Sequence, residues 1–270
     1  MKLIHVGILA ATMAVPTSVC LAQTPAAPSA AAPVAVKLAY QYQKGTASRY
    51  HVSLDVSTGQ GGAQVSQNYV STISNVASDG GFSQILHWTK EVAVLGGSPT
   101  PLPIPPDMTL SFDNLGKLLT VKTSEADPTM SVGVSRLLIM ADRIILPPNP
   151  VAINGTWTTE MDDPQVKGAK VTFTGTYLGM EVRGGKSYWK VKQQMKAPVA
   201  ADGTTMTSTG TALLDPATGQ LVHETGTIEN LPTAAYGVLT AQVTVNLAAP
   251  KNAEGTASSA PTATPTGTGK

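Results

Sequence analysis

The stretch SFDNLGKLL, Ser111 to Leu119, is answered about a hundred residues later by ALLDPATGQLV, Ala212 to Val222. Each has an apolar residue directly before an aspartate, turns through a short segment closed by glycine, and resumes with a polar residue and a fresh apolar run. Three further features of the first part recur in the same order. Gly45 precedes an aromatic strand pattern, and Gly155 precedes Trp157. Long polar-faced stretches follow, Gln64 to Val76 and Lys170 to Val182. Double glycines at 80–81 and 184–185 lead into the aromatic runs FSQILHWTKEV and KSYWKVKQQM. Four matches in one order, at spacings of about 102 to 110 residues, constitute an internal repeat.

Between these landmarks the dominant period is two. Leu38, Tyr40 and Tyr42 alternate with polar residues, and so do Tyr50, Val52, Leu54 and Val56. The pattern returns at Val171, Phe173, Gly175 and Tyr177 and at Val243, Val245 and Leu247. Such alternation marks strands with one face on a core and the other on water. Asp79-Gly80-Gly81, Gly184-Gly185 and Thr218-Gly219 supply turn chemistry at the breaks. Helical spacing stands out once, over about 129–144, where Met130, Val134, Leu137, Leu138 and Ala141 fall along one side. Asp127-Pro128 suits its start, and prolines 147, 148 and 150 stop it.

The expected fold is mainly β: a duplicated antiparallel meander with half-repeats 36–125 and 146–247, joined by the helix. A single meander with one apolar face is not stable alone. Paired edge to edge, the two give a curved half-barrel sheet whose concave apolar side the helix covers. A β-sandwich accounts for the strands equally well but leaves the helix without a role.

Around this domain, 36–247, lie segments of another character. MKLIHVGILAATMAVPTSVCLA has the positive start, apolar stretch and small residues of a secretory signal, so residues 1–22 are expected to be removed on export to the periplasm or beyond. Lipidation at Cys20 is disfavoured, because Val19 stands where such signals want Gly, Ala or Ser. Residues 23–35 and 248–270 are rich in Ala, Pro, Thr, Ser and Gly and are expected to be a flexible linker and tail. Cys20 is the single cysteine, so the exported chain has no disulfide and must rest on its core. No later segment is apolar enough for a transmembrane helix.

Charge narrows the function classes. Removing the signal leaves 17 basic and 17 acidic side chains, and charged residues are 13% of the chain, about half the usual share. Nucleic acid is therefore disfavoured as a partner. His51, His87 and His223 each stand alone without a second ligand at metal spacing, so no metal or other cofactor is expected. No serine lies in a nucleophile motif. Asp113 and Asp215 open turns, where their side chains accept backbone N–H bonds, and are assigned no catalytic role. Asn154-Gly155-Thr156 matches a glycosylation acceptor, but a glycine turn explains it. No catalytic residue is expected, and the protein reads as no enzyme.

The segment LPPNPVAINGTW, Leu146 to Trp157, just after the helix, together with the two FD…G…L-type turns, resembles an uncharacterised family of secreted bacterial proteins. Their meanders are similar to the half-barrels of the outer-membrane lipoprotein carriers. The resemblance spans about 36–247 and implies a half-barrel and a lipid or lipoprotein as partner. It implies no ligand residues, since no position matches a diagnostic motif. The residues themselves suggest a pocket lined by Trp88, Trp157, Trp189, Tyr177, Leu137 and Leu138, apolar and without a polar site. The expected function is that of a non-enzymatic exported envelope protein binding an apolar or lipid-like ligand. The alternative is an interaction module of the envelope with a filled core.

Overall fold

The computed structural model describes residues 34–58, 61–95, 97–123, 132–163, 168–199, 204–233 and 237–248. The chain divides into two units, Met1–Ala32 and Pro33–Lys270, and every described residue belongs to the second. The signal, Cys20, most of the linker, Asp127-Pro128, Met130 and nearly all of the tail lie outside the described residues.

Alternation becomes strand from Tyr50 onward. The strands are β1 (Ala47–Thr58), β2 (Gly61–Val76), β3 (Phe82–Leu95), β4 (Ser98–Pro101), β5 (Met108–Phe112) and β6 (Leu118–Thr123), then β7 (Thr156–Asp162), β8 (Lys170–Arg183), β9 (Lys186–Pro198), β10 (Thr205–Leu214), β11 (Leu221–Thr233) and β12 (Gly237–Leu247). All join one antiparallel sheet in the order β6-β5-β3-β2-β1-β12-β11-β10-β9-β8-β7, with β4 attached to β3. The sheet is curved and open, with β6 and β7 as its edges.

From the middle of the sheet the chain runs out through β1, β2, β3 and β5 to the edge strand β6, then returns from the opposite edge through β7, β8, β9, β10 and β11 to β12. The joint between the two runs is made by β12. It pairs with β1 from Tyr50↔Leu247 to Ser57↔Thr240.

The two aspartate turns share their bonding. Asp113 Oδ1 accepts from the Leu115 N–H at 2.9 Å, and Asp215 Oδ1 from the Ala217 N–H at 2.8 Å. Gly116 and Gly219 close the turns at φ of 90° and 70°, a left-handed backbone that favours glycine. Asn154, with φ 64°, likewise serves a turn, its N–H donating to the Tyr177 carbonyl at 2.7 Å.

Two expectations are adjusted. Leu38, Tyr40 and Tyr42 alternate but form no strand. Their segment has other backbone partners: Val36 bridges Val151, and the Gln41 N–H donates to the Thr218 carbonyl at 2.9 Å. The helix α1 (Val132–Ala141) ends before Ile144. The Asp142 N–H still reaches the Leu138 carbonyl at 3.0 Å, but the Arg143 N–H turns to Met140 at 3.3 Å, a tightened last turn. Ile144, Ile145 and Leu146 then run extended and buried toward Pro147, whose ring disfavours helix in the residue before it. Among the described residues no helix is long and apolar enough to cross a membrane.

The apolar side divides into two clusters. The larger joins Val52, Leu86, Trp88, Leu110 and Phe112 to Leu137, Met140 and Met206. The smaller packs Trp157, Tyr177, Trp189, Val191 and Leu214 around Leu38 and Leu146. Gln193 fixes the segment after α1 over this side. Its Oε1 accepts from the Ile145 N–H at 2.7 Å, and its Nε2 donates to the Arg143 carbonyl.

Candidate functional site

A cavity of about 130 Å³ lies between the inner faces of β1, β2, β3 and β5, the end of α1 and the Tyr40–Tyr42 segment. The strand period produces its wall: Val52, Ile73, Leu86, Trp88 and Leu110 all fall on inward positions. From the helix come Leu138 and Ile139. A dry apolar cavity of about 150 Å³ takes a benzene-sized guest, so this volume is ligand-sized even before any side chain moves.

The cavity is not wholly apolar, which corrects the expectation of no polar site. Gln67, Ser71 and Gln84 occupy the same inward parity as Ile73 and Leu86 and face the space. Ser71 and Gln84 are each more than nine-tenths buried. On the far side Gln220 donates from Nε2 to Ser48 Oγ and to the Tyr50 hydroxyl, the latter at 3.2 Å.

The charged groups cluster where α1 ends. Asp142 and Arg143 line the cavity. Glu224, on β11 below the helix, is only 5% exposed, and its Oε2 has no hydrogen-bond partner. Burial pushes the Asp142 carboxyl up to about 7. Burial first, and the neighbouring Asp142 second, hold Glu224 well above the usual carboxylate range. Both acids are thus biased toward the neutral form. Burial raises the Tyr40, Tyr50 and Tyr69 hydroxyls too, keeping them protonated donors.

Arg143 keeps its charge, since a guanidinium does not deprotonate in proteins. Its guanidinium carbon lies 4.4 Å from the Phe112 ring centroid, 4.6 Å from Tyr40 and 4.8 Å from Phe82. Tyr42 stands at 6.0 Å. These faces stabilise the cation by about 0.5–2 kcal/mol each. They leave its Nε and Nη2 buried without a hydrogen-bond partner.

Of the residues singled out from the sequence, Trp88 and Leu138 line this cavity. Leu137 is buried in the same cluster. Trp157, Trp189 and Tyr177 lie together in the smaller cluster, with the Trp157 Nε1 donating to the Ile145 carbonyl at 2.9 Å. The histidines sit on the outer side: His87 Nδ1 is 2.7 Å from Asp107 Oδ1, and His51 and His223 each meet an asparagine at 2.8 Å. Among the described residues no three His, Cys, Asp or Glu side chains form a metal-holding group.

No family model matches the chain, and no curated protein does. Among solved structures it is similar to the hypothetical lipoprotein YmcC from Escherichia coli K12. The two are 14% identical, the match covers 74% of this chain and 85% of that one, and the TM-score is 0.28. It is also similar to a DUF1329 family protein from Desulfovibrio piger, at 9% identity, 76% and 84% coverage and a TM-score of 0.23.

Proposed function

We propose that the protein is an exported, non-enzymatic envelope protein that binds an apolar or amphipathic molecule, lipid-like in character, in the cavity beneath α1. The observation that carries this reading is the cavity itself. A well-folded sheet of this size packs its inner face to a density of about 0.74, yet here about 130 Å³ lies open between Trp88, Leu110 and Leu138. Export rests on the signal pattern of residues 1–22. No chemical step is assigned to the cavity. Its polar groups orient a guest and its apolar wall holds one, which is the division of labour in small-molecule sites.

Native mass spectrometry of protein purified from its host envelope tests the reading. A lipid-sized adduct that solvent extraction removes is expected. A chain that always flies bare, even from undisrupted envelope, contradicts it.

A second reading, an interaction module, draws on a different feature. Ile153, Met180 and Val182 are 58%, 50% and 69% exposed near one end of β8. Ile153 lies against Gly179, the residue before Met180: a Cβ at Gly179 would meet it at 3.5 Å. Crosslinking in the envelope distinguishes this reading, which predicts adducts at Met180 rather than a guest in the cavity.

A further inference from the structure

Arg143 is a fully formed cation whose one side-chain hydrogen bond is with Tyr42. The rings of Tyr40, Phe82 and Phe112 lie within 4.8 Å of its guanidinium carbon and act on it as cation–π partners. The two nitrogens left without a partner, Nε and Nη2, are the pair that forms one edge of the planar fork. That edge is the one on which a carboxylate or phosphate sits with two parallel hydrogen bonds. Asp142 and Glu224, the nearby carboxylates, form no ion pair with it. A buried charged donor left unpaired is costly, so these two N–H groups favour an acceptor. Apolar surface adjoins it, from Leu138 and Ile139 on the helix and Leu110 on the sheet.

We infer that the cavity takes an amphiphile with an oxyanion head group, carboxylate or phosphate, clamped on the Nε–Nη2 edge of Arg143 with its apolar chain along the helix and sheet wall. This deepens the binding reading and rests on it. The edge is buried, so the head group enters by displacing a neighbouring ring. Tyr42, half-buried at the cavity margin, is the ring placed to yield.

The test uses the purified exported chain and five probes: decanoate, decyl phosphate, decanol, acetate and inorganic phosphate. Affinity is read from tryptophan emission and from the melting temperature. At least one of the two anionic amphiphiles should bind about tenfold more tightly than decanol, the factor a charge-assisted clamp supplies. Decanoate against decyl phosphate tells a carboxylate from a phosphate head. Arg143→Met should bring both anionic amphiphiles down to the affinity that decanol shows for the same variant, and Arg143→Lys, which keeps the charge but loses the fork, should erase most of the advantage. Should Arg143→Met fail to fold, the ratio of acid to alcohol in the unaltered protein decides alone. Equal affinity for decanol and both anions overturns the head-group site and leaves the cavity reading standing. Inorganic phosphate binding as tightly as decyl phosphate overturns the amphiphile. Silence with all five overturns both.

Discussion

Gly116 and Gly219, which close the two aspartate turns, approach the same side chain, Tyr40. A Cβ at Gly116 would stand 2.7 Å from the Tyr40 ring, and one at Gly219 would stand 2.9 Å from that ring and 2.6 Å from the Ala39 carbonyl. The two turns therefore grip the segment that carries the aromatic cover of Arg143, and the Tyr40 hydroxyl donates onward to the Ile144 carbonyl. The two aspartate turns make a two-sided clamp on one wall of the cavity.

Gly219→Val should destabilise the protein by about 1–3 kcal/mol from backbone strain alone, with the Ala39 contact adding to it. Gly116→Val should behave alike. Urea unfolding checks both, and a change at Gly184, where a Cβ has open space, isolates the strain contribution.

A second glycine is a packing requirement. The Trp157 ring lies across Gly175 on the next strand, so that a Cβ there would fall 2.2 Å from the ring. Gly175→Ala should cost about 1–3 kcal/mol, as overpacking does. The companion Trp157→Phe should restore part of that loss in a double-mutant cycle if the ring is the obstacle.

Much of this architecture was legible in advance because it depends on period and turn chemistry. The β10–β11 turn is specified by Asp215 and Gly219, and the inward face by alternating apolar residues, whatever the rest of the chain does. The charged end of the cavity was not. Asp142-Arg143 at a helix terminus reads as a solvated end, and only the extended course of Ile144–Leu146 turns it inward. Glu224 did carry a signal: it shares the period-two parity of Ile228, a carboxylate on the apolar face of its strand. Ser71 and Gln84 carried the same signal. Trp157 and Trp189 lie on β7 and β9, which give the cavity no lining residue, yet they alternate as the cavity strands do, and periodicity alone does not say which part of a continuous inner face stays open.

The acids make stability depend on pH in a definite direction. The Asp142 carboxyl titrates near 7 in the folded chain against an ordinary 3.8, so between these values the folded state binds more protons than the unfolded one. Stability should therefore be greatest near pH 4 and fall as pH rises toward 7, with Glu224 extending the loss above that. Asp142→Asn should flatten the fall and gain on the order of 2 kcal/mol over the unaltered chain at pH 8. The hydroxyls that feel this pair are those of Tyr40 and Tyr69, and neither they nor the nearby Arg143 change charge in that window. The melting temperature across pH 4 to 9 reads the effect; an unchanged slope in Asp142→Asn contradicts it. Oxyanion binding at Arg143 should weaken over the same rise, as negative charge gathers beside it.

The claim that the space beneath α1 accepts a guest is tested most directly by titrating the protein with a ten-carbon amphiphile while following Trp88. Of the three tryptophans only Trp88 lines the cavity. The account predicts that emission changes and saturates, and that the melting temperature climbs with ligand concentration as binding to the folded state requires. Trp88→Phe should abolish the emission change and keep the rise in melting temperature. Emission and melting temperature that both stay constant would contradict the account, above all if Leu138→Ala then merely lost about 2–5 kcal/mol of stability, as truncating a filled core does.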